Sequence, residues 1–155
     1  MDGSVLLSVG AHGVHRAELR LDTCDGEEAP RRARGFVALR CRSWGLDEES
    51  VDAVVLLTSE LVTNAARHAP PPLELTLAGD DSGVRVSVDD SDPALPQPQR
   101  PDLERDGGRG LWLVELLATA WGYHRTDAGK QIWFVRKGAP VRLPPQVERV
   151  VASST

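Results

Sequence analysis

The sequence has only two cysteines and no long apolar run, and each scarcity excludes a class of protein. Cys24 and Cys41 are isolated, with no CxxC pair and no histidine at ligand spacing, which argues against a disulfide framework or a zinc site. No apolar stretch approaches the length of a membrane-spanning helix, and the N-terminus lacks the basic and apolar regions of a signal peptide. We therefore expect a cytoplasmic protein with no membrane partner.

An excess of basic charge is also missing. The 155 residues include 18 lysines and arginines against 23 aspartates and glutamates, for a formal net charge of -5. A general binder of the nucleic-acid backbone needs a basic surface, so we expect no direct nucleic-acid partner. The content of 41% hydrophobic and 26% charged residues is that of an ordinary globular protein, and the length suits one domain with a real core.

Hydrophobic periodicity and turn signals predict the order strand, two helices, hairpin, long loop, helix, hairpin. Helices can cover only one face of the sheet in this order, which predicts an α+β protein. We expect a two-layer α/β sandwich with a mixed, mostly antiparallel sheet. A single domain is expected over 1–137, and the tail at 138–155 either adds an edge strand or frays. The predicted elements are a strand at 14–21, a helix opened by Pro30 and stopped at Gly45, a helix from an Asp47 N-cap to about His68, strands at 73–77 and 84–88, a loop at 91–108, a helix from Gly110 to near Trp121, and strands at 123–126 and 131–136.

The most informative segment, 59–69, lies in the second predicted helix. It places Glu60 and Asn64 four residues apart, so that both side chains lie on one helix face at the border of the apolar stripe. An Asn oxygen suits Mg²⁺ that also bridges nucleotide phosphates, and a glutamate one turn earlier can orient or deprotonate a nucleophile. Taken alone, the pair is equally well explained as two solvated surface residues. The predicted inward stripe comprises Val54, Leu57, Leu61 and Ala65, with Val55 and Val62 beside it.

Asp90 follows the predicted strand at 84–88 and precedes the long loop. A carboxylate at a strand end can accept a hydrogen bond from an exocyclic amine such as that of adenine, in a pocket with apolar walls. The alternative is a turn-forming aspartate, and the turn chemistry of 89–93 favours that alternative when the segment is considered alone.

Gly108 and Gly110 flank Arg109 just before Leu111 in the third predicted helix. Glycine lets the backbone approach phosphates closely, and the free N–H groups of a helix N-terminus favour anions. A plain hinge between loop and helix needs glycine too, and the preceding loop at 91–108 is either functional or a surface linker.

In this order, the three segments resemble the GHKL ATP-binding superfamily, which has a histidine kinase-like ATPase domain. Within it, the chain looks most like the small stand-alone anti-sigma-factor serine/threonine kinases. The resemblance covers about residues 14–136 and implies the Bergerat-type ATP-binding fold. The matching segments are 60–69 for the N-box, 86–93 for the adenine-binding box, 108–114 for the phosphate-binding box, and 121–122 with 129–134 for the closing strands.

The resemblance implies a role for each matching position. Glu60 would be the catalytic general base, and Asn64 would ligate Mg²⁺ that is held by the phosphates of ATP. Asp90 would contact adenine, and residues 91–108 would form a lid hinged at Gly108 and Gly110. The other nucleotide-binding positions that it implies are Arg67, Arg109, Leu111 and Lys130.

Two positions depart from the family pattern. Asp92 stands where many relatives have glycine, and Gln131 stands where relatives often have threonine after the Gly-Lys pair. The first departure adds a carboxylate near the expected nucleotide, and the second changes the expected support of the adenine pocket.

Two functional hypotheses follow. The leading one is an ATP-binding anti-sigma factor and serine/threonine protein kinase that phosphorylates an anti-anti-sigma partner. Its partners would be a sigma factor and a STAS-type anti-anti-sigma protein, and the chain would form a homodimer. The alternative, motivated by Asp92 and Gln131, is a non-catalytic or degenerate ATP-binding regulatory module that acts by sequestering a protein partner. A histidine-kinase catalytic domain is less favoured because no helix with a phosphoacceptor histidine precedes the first strand.

Overall fold

The computed structural model describes residues 5–9, 13–22, 27–96 and 109–138. These ranges form six strands and three helices. The predicted tail pieces at 141–143 and 147–151 lie outside the described residues. In chain order the elements are β1 (Val5–Val9), β2 (His15–Leu21), α1 (Glu28–Ser43), α2 (Glu48–His68), β3 (Leu73–Asp80), β4 (Gly83–Asp90), α3 (Arg109–Leu117), β5 (Ala120–Arg125) and β6 (Lys130–Lys137).

The six strands form one sheet in the order β1-β2-β3-β4-β6-β5. The α+β class is confirmed, and the mixed sheet that we predicted is antiparallel at each strand pair of the described residues. Leu19, Leu75, Val88 and Ile132 face one another across four neighbouring strands, and all four are buried. Because side chains alternate between the faces of a strand, such rows form the face that the helices cover.

Helix α2 is the element that the sequence predicts best. The N-cap Asp47 accepts a 2.8 Å hydrogen bond from the Ser50 backbone N–H, which satisfies one of the free donors at the helix start. The helix ends at His68, just before three prolines that cannot continue it. The predicted inward stripe is confirmed, because its members are at most 2% exposed. They are Val54, Leu57, Leu61 and Ala65, joined by the fully buried Val62.

Pro30 lies in the first turn of α1, as the sequence predicts. The helix begins at Glu28, two residues before Pro30. Proline is tolerated there because the first N–H groups of a helix have no intrahelical partner, so the missing donor costs nothing. At the other end, Gly45 has a positive φ of 83°, as a helix-stopping glycine does. The preceding Trp44 stacks on the His15 ring with centroids 5.7 Å apart.

Three of the observed elements, β1, β4 and α3, differ from the predictions. Strand β1 was not predicted, because its sequence VLLSV has too little polar alternation to mark a half-buried strand. The predicted position of Asp90 at the end of a strand is confirmed, although β4 continues past the predicted end at 88 and includes Asp90 as its last residue. Helix α3 ends at Leu117, and Trp121 belongs to β5. The helix stops early because the Thr119 backbone N–H bonds to the Val135 carbonyl at 2.7 Å, which draws the chain into the sheet.

The direction of α2 over the sheet places the predicted site. At its N-terminal end, a Cβ on Gly138 would lie 2.6 Å from Ser50 Oγ, so this end is beside the end of β6. At its C-terminal end, His68 is near enough to Asp92 to contribute to lowering the pKa of that carboxyl. Helix α2 therefore runs toward the end of the sheet at which β4 finishes. None of the described helices is both long and apolar enough to cross a membrane.

Candidate functional site

The β4 strand carries Asp90 into the protein interior. Val86, Val88 and Asp90 alternate along the strand, so all three side chains point to the face that the helices cover. Asp90 is 5% exposed. A buried carboxylate is costly unless charged or hydrogen-bonding groups compensate it, so its partners define what this end of the sheet can do.

Lys130 is the principal partner of Asp90. It is the first residue of β6 and lies directly opposite Asp90 in the β4–β6 register. Its Nζ lies 3.1 Å from Asp90 Oδ1 and also donates to the Asp92 carbonyl oxygen at 3.1 Å. The two side chains are 4% and 1% exposed. This is a buried ion pair between neighbouring strand ends, formed by residues 40 positions apart in the sequence.

The two oxygens of Asp90 are used unequally. Oδ1 accepts from Lys130 Nζ and from the Asp92 backbone N–H at 2.8 Å. Oδ2 is buried and accepts no hydrogen bond from any of the described residues. Leaving such an acceptor unpaired costs about 1–3 kcal/mol, so this oxygen is suited to a donor that arrives with a ligand. The Asp92 bond is also the local bond of a turn-forming aspartate, so the turn interpretation of Asp90 and a binding role coexist.

The Asp92 carboxylate has contacts of its own. Its Oδ1 accepts from the Ala94 backbone N–H at 3.0 Å, and its Oδ2 lies 3.7 Å from Lys130 Nζ. The Ala94 hydrogen bond is the main cause that lowers the pKa of Asp92, and the charges of Lys130 and His68 add to it. The extra carboxylate is therefore stabilised as an anion beside the Lys130 ammonium, and the Asp92 backbone helps to orient Asp90.

Glu60, Asn64 and Arg67 all lie in the C-terminal half of α2. Glu60 and Asn64 are half-buried, whereas Arg67 is exposed. The half-buried pair lies one helical turn apart, at about 6 Å along the axis, in the half of α2 that runs toward Asp90. The half of α2 that carries this pair thus approaches the end of the sheet at which Asp90 lies.

The predicted phosphate-binding segment is described in part. Arg109 and Gly110 form the start of α3, and Leu111 follows within its first turn. The opposite end of α3 is anchored by Arg136, whose guanidinium donates to the Leu117 carbonyl at 2.7 Å. Gly108 and the segment 97–108 of the predicted lid lie outside the described residues. The described part, 91–96, forms neither helix nor strand.

The described protein groups at this site would hold a metal ion only together with oxygen atoms of a bound ligand. The described residues contain no group of three or more His, Cys, Asp or Glu side chains that could hold a metal. The Asn64 side chain offers a single neutral oxygen, which suits Mg²⁺ when phosphate oxygens and waters complete the coordination. The donor set fits an ion delivered with a nucleotide and does not fit a permanently bound one.

The sheet face that the helices leave uncovered has a polar network of its own. Gln131 donates to both oxygens of Asp89 at 3.1 Å, and the Arg85 guanidinium lies 5.0 Å above the Trp133 ring. A groove of about 700 Å³ runs over this face. Gln131 therefore points away from the helix-covered face on which Asp90 lies, and its side chain supports Asp89 on the opposite side of the sheet.

Sequence reasoning named Lys130 as a nucleotide contact and did not find its pairing with Asp90. Nothing local marks the pair, since only the adjacency of β4 and β6 brings the two residues together. The fold shows that both side chains are buried where the ends of the two strands meet, and this burial identifies them as a pair.

A comparison with known families places the site in context. The family model described as the histidine kinase-like ATPase domain matches residues 25–136, which is well over half of the chain. The match extends from just before α1 almost to the end of β6 and includes Glu60, Asn64, Asp90 and Lys130. No curated protein matches the chain significantly.

Proposed function

Because the chain belongs to the histidine kinase-like ATPase domain family, we propose that it binds ATP between α2 and the sheet. The observation that carries the proposal is the buried Oδ2 of Asp90, for which the part of the chain that the structure describes supplies no hydrogen-bond donor. The exocyclic amine of adenine is a donor of the right kind, and its hydrogen bond would satisfy an acceptor that the protein leaves free. Val88 and Ile132 are apolar, lie on the same sheet face as Asp90 and would supply walls for a flat base.

We further propose that the chain is a serine/threonine protein kinase. Glu60 accepts the proton of a partner's serine hydroxyl, the serine oxygen bonds to the γ-phosphorus, and the bond from that phosphorus to the β,γ-bridging oxygen breaks to release ADP. Asn64 would help to hold Mg²⁺, which supplies neutralisation of the phosphate charge when bound. Arg67, exposed in the last turn of α2, offers a cation for the phosphates.

The partners proposed are those of the anti-sigma-factor kinases that the sequence resembles. They are a sigma factor that the protein holds inactive and a STAS-type anti-anti-sigma protein that it phosphorylates. A homodimer is proposed as well. The β1 strand supports it, because Val5 and Leu6 are 38% and 58% exposed on the strand that lies at the edge of the sheet formed by the described residues. Light scattering of the purified protein measures the oligomeric state directly.

The binding step is tested by calorimetry with Mg-ATP. Asp90→Asn should weaken ATP binding at least about tenfold, because the replacement disturbs an acceptor worth roughly 1–3 kcal/mol. Asp81→Asn is a matched control, since Asp81 is exposed in the β3–β4 turn. Equal affinity of wild type and Asp90→Asn would show that adenine is bound elsewhere.

The transfer step is tested with labelled ATP and the cognate anti-anti-sigma protein. Glu60→Ala should abolish phosphate transfer while ATP affinity changes little, because a general base acts on the acceptor hydroxyl. Equal transfer by the variant and the wild type would refute the assignment of Glu60.

The second candidate is a module that binds ATP and sequesters its partner without phosphorylating it. Asp92 and Gln131 motivated this alternative, and their contacts weaken it. Asp92 is compensated by Lys130 and Ala94, and Gln131 lies on the other face of the sheet. ATP binding without transfer to any partner would favour the module, and transfer would exclude it.

A further inference from the structure

We propose that Lys130 is a positioning residue that sets the nucleobase selectivity of the site, a proposal that rests on the nucleotide-binding function proposed above. Lys130 acts through Asp90 and does not itself touch the nucleotide. It occupies one oxygen of the carboxylate and leaves the other as a single acceptor for the base.

The contacts of Asp90 Oδ1 carry the first step. This oxygen already accepts from Lys130 Nζ at 3.1 Å and from the Asp92 N–H at 2.8 Å. A carboxylate oxygen has two favourable acceptor positions, so Oδ1 is fully used by the protein. Oδ2 is buried, and within the described ranges neither of its positions is taken by a donor. The carboxylate is therefore presented to a ligand through one oxygen only.

The second step is the chemistry of the bases. Adenine offers one exocyclic amine, which a single oxygen can accept. Guanine offers two adjacent, parallel donors, its N1–H and its 2-amino group, and a carboxylate gives each of them a separate, well-aligned acceptor only when both of its oxygens are free. A carboxylate that presents one oxygen therefore favours adenine. Guanine cannot form its paired contact with such a carboxylate. Guanine should then bind no better than hypoxanthine, which has the N1–H alone. Selectivity arises here as a difference between affinities.

The third step is the immobility of Lys130. Its side chain is 4% exposed, and its Nζ is held by Asp90 Oδ1 and the Asp92 carbonyl, with Asp92 Oδ2 at 3.7 Å. These oxygens surround an ammonium group that has three donors. Turning the ammonium toward a nucleotide phosphate would leave the Asp90 charge buried without its cation, which is strongly unfavourable.

The chain contains a matched control for Lys130. Its only other lysine is Lys137, at the far end of the same strand and exposed. The experiment measures the affinities of wild type, Lys130→Met and Lys137→Met for the Mg²⁺ complexes of ATP, GTP and inosine triphosphate, by calorimetry. Thermal unfolding of each variant establishes that it is folded.

Wild type should bind ATP best and should bind GTP and inosine triphosphate with nearly equal, weaker affinity. Lys130→Met removes the cation from Oδ1. The affinity for GTP should therefore rise about tenfold relative to the affinities for ATP and inosine triphosphate, because a bidentate base contact provides discrimination of this size. Lys137→Met should keep the wild-type ratios.

The outcomes separate the two proposals. Absence of ATP binding by wild type overturns the proposed function and, with it, this inference. ATP binding with the same nucleotide ratios in wild type and Lys130→Met overturns the role of Lys130 alone. If Lys130→Met does not fold, the ratio of the GTP and inosine triphosphate affinities of wild type still tests the proposal. Clearly tighter binding of GTP would mean that both oxygens of Asp90 are available, and would overturn the role of Lys130.

Discussion

The backbone at Gly129 lies directly against the backbone carbonyl of Asp90. A Cβ added at Gly129 would collide with that carbonyl oxygen and would lie 2.6 Å from the Ser91 carbonyl carbon. Because the obstacle is main chain, it cannot move aside as a flexible side chain could. The turn between β5 and β6 therefore approaches the end of β4 more closely than any residue but glycine permits.

The first prediction concerns Gly129→Ala. The added methyl should push the β5–β6 turn away from Asp90, destabilise the protein by about 1–3 kcal/mol as overpacking does, and weaken ATP binding at least several-fold. Denaturant unfolding and calorimetry measure the two effects. Gly35→Ala is the control, because nothing lies within 4 Å of its added Cβ in helix α1, and it should raise stability by about 0.4–1 kcal/mol. An unchanged ATP affinity in Gly129→Ala would contradict the prediction.

The second prediction concerns the N-cap of α2. The Ser50 backbone N–H and hydroxyl, in that order, lower the pKa of Asp47 below its ordinary value of 3.8. A lowered pKa in the folded state means that this carboxylate adds stability above the ordinary pKa, and that the contribution is lost as the pH falls through the lowered one.

Asp47→Ala should lower the melting temperature by about 2–4 °C at neutral pH. The difference from wild type should shrink as the pH falls below 3.8. Melting curves at several pH values test this, with Asp52→Ala as the control because Asp52 is exposed within the helix. A difference that stays constant down to acid pH would be inconsistent with the cap.

The third prediction concerns Asp89 on the uncovered sheet face. Burial is the main cause that raises the pKa of this carboxyl, against the opposing hydrogen bond of Gln131 and the charges of His124 and Arg85, while the charge of Asp90 adds to the rise. A raised pKa in the folded state means that stability falls as the pH rises from the ordinary value of 3.8 through the raised one.

Asp89→Asn keeps an acceptor for Gln131 and removes this charge. As the pH rises from 3.8 through the raised pKa of Asp89, the melting temperature of the variant should increase relative to that of wild type, by a few degrees or less. A wild-type advantage that grows with pH would show instead that the Arg85 and His124 charges dominate.

The fourth prediction concerns the reactivity of Cys41. Burial in the core raises the pKa of its thiol to about 12, and the residue is fully buried on α1. Since the thiolate is the reactive form, native protein at pH 8 should resist iodoacetamide at this position, and denatured protein should react. Peptide mass spectrometry resolves the labelled cysteine. Rapid labelling of Cys41 under native conditions would show that α1 separates readily from the core.

Local signals explain why α2 was predicted in detail. Its N-cap at Asp47, its stop before the prolines and its apolar stripe all depend on residues within a few positions of one another. Glu60 and Asn64 were therefore placed on the correct helix from sequence alone. Strand β1 was not predicted because its stability comes from pairing with β2, and the early end of α3 depends on contacts of Thr119 and Arg136 with distant residues.

The features of the site likewise fall into those that local sequence predicts and those that only the fold produces. The sequence determined which residue types were available and on which elements they lie, because capping, periodicity and chain breakers act over one or two turns. Only the tertiary structure decided that Lys130 neutralises Asp90 and that Gln131 faces the opposite side of the sheet. Both outcomes depend on the pairing of β4 with β6, which brings together residues about 40 positions apart and fixes by register which face each side chain joins.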